Sequence, residues 1–144
     1  MQHARVDTTT ARDGTPQVVA RFDLPEPEVA AVARATAVSR TEQFRHEVLS
    51  ADDVVAMREL TALDDQLTAL AGYGAAVTVE LSPARVVALR DTLHVFVDNR
   101  DEAGFVREED RDAYAIALTL AAPLEDLAAD TLRAALDAAQ HAGC

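Results

Sequence analysis

The chain has 144 residues, the length of one domain, and that is enough to bury a core without disulfides or metal ions. It carries 25 acidic and 13 basic residues, for a formal net charge of −12. A negative field of this size repels phosphate backbones and anionic lipid surfaces. We therefore expect neither nucleic-acid nor membrane binding, and a basic protein is the partner class that the charge favours.

The aromatic, cysteine and arginine content and the distribution of apolar residues further restrict the class of protein and its expected location. Aromatic residues make up only 4% of the chain, and the single cysteine, Cys144, excludes an intramolecular disulfide or a cysteine metal cluster. All the basic residues are arginine, a bias typical of a GC-rich bacterial genome. The sequence contains no signal-peptide pattern and no apolar run long enough to span a bilayer, so a cytoplasmic protein is expected.

The N-terminal segment, residues 1–16, is polar and rich in threonine, and it contains Gly14 and Pro16. A segment with so few apolar side chains buries too little surface to offset its chain entropy. We therefore predict a flexible N-terminal arm over residues 1–16, followed by a single α+β domain over residues 17–144. If the arm is ordered, a neighbouring subunit is one candidate to hold it.

Three segments alternate apolar and polar residues, which is the pattern of a half-buried strand: residues 17–23, 43–49 and 76–81. Residues 114–120 alternate large and small side chains and are interpreted as a fourth strand, with a buried helix as the alternative. Pro123 is expected to break this segment. The predicted sheet therefore has three or four strands.

Four segments have the apolar spacing of amphipathic helices: residues 27–40, 51–71, 83–99 and 124–140. A strand is the alternative for the first of them, because residues 32–38 also alternate. In the second helix, Asp64 and Asp65 are expected on the face opposite the leucines. In the last helix, the side chains expected to face inward are Leu124, Leu127, Thr131, Leu132 and Leu136.

Two of these helices begin with the same phrase. Residues 49–59 match residues 81–91 at six of eleven positions, 32 residues apart. Each copy places a serine, Ser50 or Ser82, where its side chain can accept a hydrogen bond from the first helical turn. The phrase predicts two equivalent strand–cap–helix units, and not a solenoid, which needs at least three copies.

A pair of side chains in the third helix has the spacing of metal ligands. His94 and Asp98 stand four residues apart, so they share one helix face and can bind a divalent metal together. Residues of this type also form surface ion pairs, which is the structural alternative. His94 and Asp98 are retained as metal candidates.

The loop over residues 99–110 resembles the calcium loop of EF-hand proteins. Gly104 falls at loop position 6 and Asp101 at position 3, as in that family. The loop departs from the family pattern at Ala103, where an oxygen ligand belongs, and at Asp110, which replaces the bidentate glutamate. The resemblance implies a cation site in which Asp101 is a further candidate ligand.

Signatures of enzymes are missing from the sequence. There is neither a glycine-rich phosphate loop nor a GxSxG nucleophile motif, and Cys144 is placed at the end of the chain. We assign no catalytic residue and no cofactor. Active sites without a local motif are common, so the sequence favours a non-enzyme without excluding an enzyme.

Three functional hypotheses follow. The first is a non-catalytic interaction or regulatory protein, homo-oligomeric, that binds a protein partner or itself. The second is a small enzyme or small-ligand-binding protein with a pocket between sheet and helices that uses His46, His94 or Glu80. The third is an acidic protein that imitates nucleic acid and inhibits a basic partner.

Overall fold

The computed structural model describes residues 1–43 and 50–142, which form one antiparallel sheet covered by helices. The predicted α+β class is confirmed. The sheet has three strands in the order β1–β2–β3. Along the chain the elements are β1 (Gln2–Thr10), β2 (Pro16–Leu24), α1 (Glu26–Gln43), α2 (Ala51–Ala71), β3 (Val77–Leu81), α3 (Pro83–Ala103), a short 3-10 helix (Glu108–Asp110) and α4 (Arg111–Ala142).

The two faces of the sheet differ because side chains alternate along a strand. Alternate residues of β2 and β3 are buried on the inner face: Val18, Ala20, Phe22, Leu24, Val79 and Leu81. Helices α1, α3 and α4 contact β2 and cover this face, while α2 packs against α1 and α3. The core therefore lies between the sheet and the helices, and the outer face of the sheet carries charged residues.

Residues 1–16 differ from the sequence prediction, because most of them form β1 and a hairpin loop. β1 pairs with β2 residue by residue from Arg5 opposite Arg21 to Thr10 opposite Pro16. Gly14 takes a φ of 84° in the connecting loop, a conformation that glycine adopts without strain. The prediction of a flexible arm is wrong for Gln2–Thr10, since threonine favours strands and an edge strand needs only one neighbour.

The three predicted helices in the first two thirds of the chain are confirmed, and the strand alternative within α1 is wrong. Both predicted caps form: the Asp53 amide donates to Ser50 Oγ at 3.1 Å, and the Arg85 amide donates to Ser82 Oγ at 3.3 Å. α3 continues four residues beyond its predicted end, to Ala103, and stops where Gly104 adopts a φ of 76°.

The predicted strand over residues 114–120 is wrong, because these residues belong to α4. The alternation of large and small residues coincides here with a helical spacing, which buries Ala117, Leu120 and Leu124 along one side. Pro123 does not end the helix. Proline has no N–H, so the Thr119 carbonyl four residues earlier loses its helical hydrogen bond. Both Pro123 and Thr119 are exposed, so water can solvate that carbonyl.

The predicted strand over residues 43–49 lies almost wholly outside the described residues. Gln43 is the last residue of α1, and residues 44–49 are not described. The sequence prediction for this segment, including His46, stays a prediction.

Asp64 lies in the protein interior, contrary to its expected place on the solvent side of α2. It is buried, and Arg40 of α1 meets it with an Nη1–Oδ2 distance of 2.9 Å. Asp65, next to it, is exposed as expected. The ion pair ties α2 to α1, and the periodicity of α2 alone cannot show that α1 supplies a cation at this point.

Candidate functional site

A hollow lined by several charged side chains lies where α1 meets the C-terminal end of α3. Its volume is about 460 Å³, and Phe105 and Arg107 from the turn after Gly104 contribute to its lining. The lining includes apolar and charged side chains: Arg34, Ala37, Val38, Thr41, Glu42, Asn99, Arg100, Ala103, Phe105, Arg107 and Asp110. We call this hollow the arginine cleft.

Two of the three arginines in the arginine cleft are paired within the protein. Arg34 Nε donates to Asp110 Oδ1 at 2.9 Å, and the Asp110 side chain is only 5% exposed. Arg100 forms a close ion pair with Glu42. These pairs join α1 to the 3-10 helix and to α3, so they hold the walls of the cleft in place.

The third arginine of the cleft, Arg107, is exposed and makes no side-chain hydrogen bond or ion pair with residues 1–43 or 50–142. It leaves the lining with an excess of one positive charge, since Arg34 and Arg100 are balanced by Asp110 and Glu42. Phe105 stands exposed on the rim beside it. Chemically, this arrangement suits a small carboxylate or phosphate with an apolar part.

The predicted metal candidates do not converge. His94 Nε2 lies 3.5 Å from Glu125 Oε2 of α4, while Asp98 is exposed one turn further along α3. Asp101 accepts a hydrogen bond from the hydroxyl of Tyr114, which raises the pKa of that phenol because the bond stabilises its protonated form. Within the described parts of the chain, no group of three or more His, Cys, Asp or Glu side chains is placed to hold a metal ion.

The resemblance of residues 99–110 to an EF-hand loop does not extend to structure. The first five of these residues are the last turns of α3, and the 3-10 helix takes the last three. A calcium loop would instead wrap its oxygen atoms around one point. Residues 99–110 therefore do not have the backbone of a calcium loop.

The structure does not bring together the side chains expected in a pocket between sheet and helices. Glu80 lies on the outer side of the sheet, where its carboxylate is 3.2 Å from Arg21 Nε. His94 lines a groove of about 100 Å³ between α3 and α4. His46 lies outside the described residues.

A second candidate functional surface is an apolar stripe along α4, which was not predicted from the sequence. Leu118, Leu132 and Leu136 are 50%, 41% and 64% exposed, and exposed alanines, Ala122 and Ala129, lie between them. These residues share one helix face at steps of three, four and seven residues. Glu125, also exposed, lies on the same face between Ala122 and Ala129, and its carboxylate is 3.5 Å from His94 of α3. We call the three leucines and the two alanines the α4 stripe.

The α4 stripe corrects the predicted burial of this helix. Leu124, Leu127 and Thr131 face the core as expected, but Leu132 and Leu136 face solvent. The helix has two apolar faces, and only one of them is used by the fold. The sequence signal was present, since apolar residues surround much of the helix, but periodicity does not say which face the core takes.

Acidic side chains follow one flank of the α4 stripe. Asp126, Asp130 and Asp137 are exposed at four- and seven-residue steps, which places them on neighbouring turns of the same side. Arg133 lies among them and contacts Asp130 at 3.4 Å. The flank is therefore net negative.

Comparison with known proteins identifies no relative: no family model matches the chain, and no curated protein or solved structure matches it significantly. Separately, none of the helices in the described residues is both long and apolar enough to cross a membrane.

Proposed function

We propose that this protein is a non-catalytic interaction or regulatory protein that binds a helical segment of a basic protein partner along the α4 stripe. The observation that carries the proposal is the exposure of Leu118, Leu132 and Leu136 on one face of α4. Aligned apolar side chains on an otherwise charged surface are typical of protein-binding sites.

These leucines leave much of their apolar surface in water, where a partner can cover it. A leucine buried on binding contributes about 25 cal/mol for each Å² of apolar surface that it removes from water. A helical partner that packs along α4 can bury all three leucines at once, because packed helices contact each other at three- and four-residue steps.

The charge of the flank selects the kind of partner. Asp126, Asp130 and Asp137 would attract lysine or arginine beside the apolar face of the partner helix. A second copy of α4 packed antiparallel would instead bring the same carboxylates close to each other, and this repulsion opposes such self-association through the α4 stripe. Homo-oligomerisation, which the sequence also led us to expect, is therefore expected at a different surface.

The proposal is tested with a synthetic amphipathic helix of leucine and lysine that carries a fluorescent label. We expect fluorescence anisotropy to show binding to the native protein and a loss of at least about tenfold with Leu132→Ser/Leu136→Ser, since two buried leucines are worth more than 1.4 kcal/mol. The control is Val55→Ser, which removes an exposed apolar side chain from α2.

The peptide test separates the α4 stripe from general attraction to an acidic protein. A peptide in which the leucines are scattered around the helix keeps the charge but loses the apolar face, and it should bind weakly. Equal binding of the native protein and the double variant would contradict the proposal.

A second candidate function is the binding of a small anionic ligand in the arginine cleft. It is favoured by Arg107, whose side chain has no partner in the described parts of the chain and stands beside a hollow of about 460 Å³. NMR titration with inorganic phosphate and with benzoate tests it. Shifts confined to the cleft and lost in Arg107→Gln would support this function, whereas shifts spread over the surface would oppose it.

A further inference from the structure

The two edges of the sheet differ in length and in cover. β3 has five residues, and α2 reaches it through Gln66, whose Nε2 donates to the Glu80 carbonyl at 2.9 Å. β1 has nine residues. Among the described strands, only β2 pairs with β1, which ends the sheet on that side. β1 is therefore the open edge.

Most of the open edge is regular enough to pair with another strand. From Arg5 to Thr10, β1 pairs with β2 without a break, and the irregularity lies before Arg5, where His3 has a φ of 53°. Proteins protect an exposed edge with a proline, a bulge or charged side chains. Within Arg5–Thr10, β1 has no proline and no bulge. Its charged side chains, Arg5 and Asp7, lie on the outer face of the sheet, so they leave the outward N–H and C=O groups accessible and would themselves pair with a second strand.

The charges on the outer face of β1 are unevenly balanced. Arg5 stands directly opposite Arg21 in the β1–β2 pair, which places like charges across from each other. Asp7 lies within 3.3 Å of both arginines and Glu80 within 3.2 Å of Arg21. Arg5 has no acidic residue opposite it on β2, so an acidic side chain on its free side would be stabilising.

We propose that two copies of the chain associate by pairing their β1 strands antiparallel, with Val6 opposite Val6 of the second copy, to form a continuous six-stranded sheet. Opposite residues in an antiparallel pair share a face, so this register places Arg5 opposite Asp7 of the second copy and Asp7 opposite its Arg5. The two-fold symmetry repeats each ion pair, as expected for a homodimer.

Charge selects this register over its neighbours. Sliding one strand by two residues in one direction places Arg5 opposite Arg5, and in the other direction Asp7 opposite Asp7. Both arrangements oppose like charges at the centre of the pair. Only the register centred on Val6 joins opposite charges, and it also packs two half-buried valines together on the inner face.

A single strand pair buries less surface than a standard protein interface, so we expect reversible association. Sedimentation velocity over about 1 to 300 µM should show the mass rising from 15.4 kDa toward twice that value. A protein that remains monomeric over this range would overturn the proposal.

Charge exchange tests the register directly. Arg5→Glu alone places two acids opposite each other, and Asp7→Lys alone places two bases opposite each other, so neither variant should form its own dimer. Mixed in equal amounts, the two variants match at both positions, and the mixture should dimerise. Circular dichroism of each variant confirms that it is folded. A mixture that stays monomeric would contradict the register.

Cross-linking supplies a test that does not depend on charge. In a Cys144→Ser background, Val6→Cys should form an intermolecular disulfide under mild oxidation, because the two positions face each other. Thr8→Cys is the matched control, since Thr8 lies opposite Ala4 of the second copy. Equal cross-linking of Thr8→Cys would overturn the register.

Pairing of the β1 strands is independent of helix binding at the α4 stripe. Leu132→Ser/Leu136→Ser should dimerise as the native protein does, and the Arg5 and Asp7 variants should bind the amphipathic peptide as it does. The two proposals can therefore fail separately.

Discussion

Pro123 in the middle of α4 lowers the stability of the protein, and its replacement by alanine should raise the free energy of unfolding. Proline in a helix interior costs about 3 kcal/mol relative to alanine, because it lacks the N–H and its ring crowds the carbonyl four residues earlier. Here that carbonyl belongs to Thr119, which is exposed, as Pro123 is, so water recovers part of the cost. We expect Pro123→Ala to gain about 2 kcal/mol.

This gain converts to a measurable shift in melting temperature. With an unfolding entropy of about 2.1 cal/mol/K for each residue, a chain of this length gains about 7 °C from 2 kcal/mol. Urea unfolding followed by circular dichroism at 222 nm gives the free energy, and calorimetry gives the melting temperature.

The control for Pro123 is Pro83, which stands in the first turn of α3. There the missing N–H has no partner to lose and the fixed φ suits the helix, so Pro83→Ala should change stability by less than about 0.5 kcal/mol. If Pro123→Ala is equally neutral, α4 does not run continuously through residue 123. The sequence prediction of a break would then be correct.

Two further predictions concern the sheet and the core. Thr78 Oγ1 and then His3 hold the pKa of Asp23 below its ordinary value, because both hydrogen bonds stabilise the carboxylate. A lowered carboxyl pKa contributes stability above the unfolded-state value of about 4, and that contribution is lost as the pH falls through the folded pKa. Thr78→Val should therefore raise the pKa of Asp23, measured by carbon NMR titration, and reduce stability at neutral pH; an unchanged titration curve would contradict this. Leu63→Ala removes a fully buried side chain and should cost about 2–5 kcal/mol in urea unfolding, whereas Leu136→Ala at an exposed position should cost less than about 0.5 kcal/mol. If Leu63→Ala and Leu136→Ala lower the free energy of unfolding by similar amounts, Leu136 is buried and not exposed.

Local signals were the most reliable guide to this fold. The caps at Ser50 and Ser82 were predicted because capping depends on residues within one helical turn, and both hydrogen bonds form. The repeated phrase that contains them does not, however, predict burial. Val86 in the second copy is fully buried, while the equivalent Val54 is exposed, because burial depends on which elements pack nearby.

β1 was missed because its partner could not be identified from its own residues. The segment has almost no apolar side chains, and chain entropy alone would leave it disordered. Its stability comes from the ladder with β2 and from a short loop, whose Asp13-Gly14 sequence is a recognised hairpin signal. The Asp13-Gly14 turn signal, given more weight than the polar composition of residues 1–16, predicts the hairpin.

The candidate sites could not be predicted because they depend on side chains that are distant in sequence. Arg34 and Asp110 in the arginine cleft are 76 residues apart, and His94 meets Glu125 on a different helix. The metal hypothesis assumed that His94 would face its neighbour on the same helix. A pattern within one helix says which residues share a face and not which helix lies against that face.

The two apolar faces of α4 connect the fold to the proposed function. The sequence of its first half was apolar nearly all round, and such a helix is expected to be buried on every side. In a single chain the core covers only the side of Ala117, Leu120 and Leu124, and the side of Leu118 and its successors stays in water. The expectation that this helix is buried on every side is therefore correct for the side that faces the core and wrong for the side that carries Leu118, which no part of the described chain covers. A basic partner helix on the α4 stripe would supply the missing cover, and the peptide titration measures whether it does.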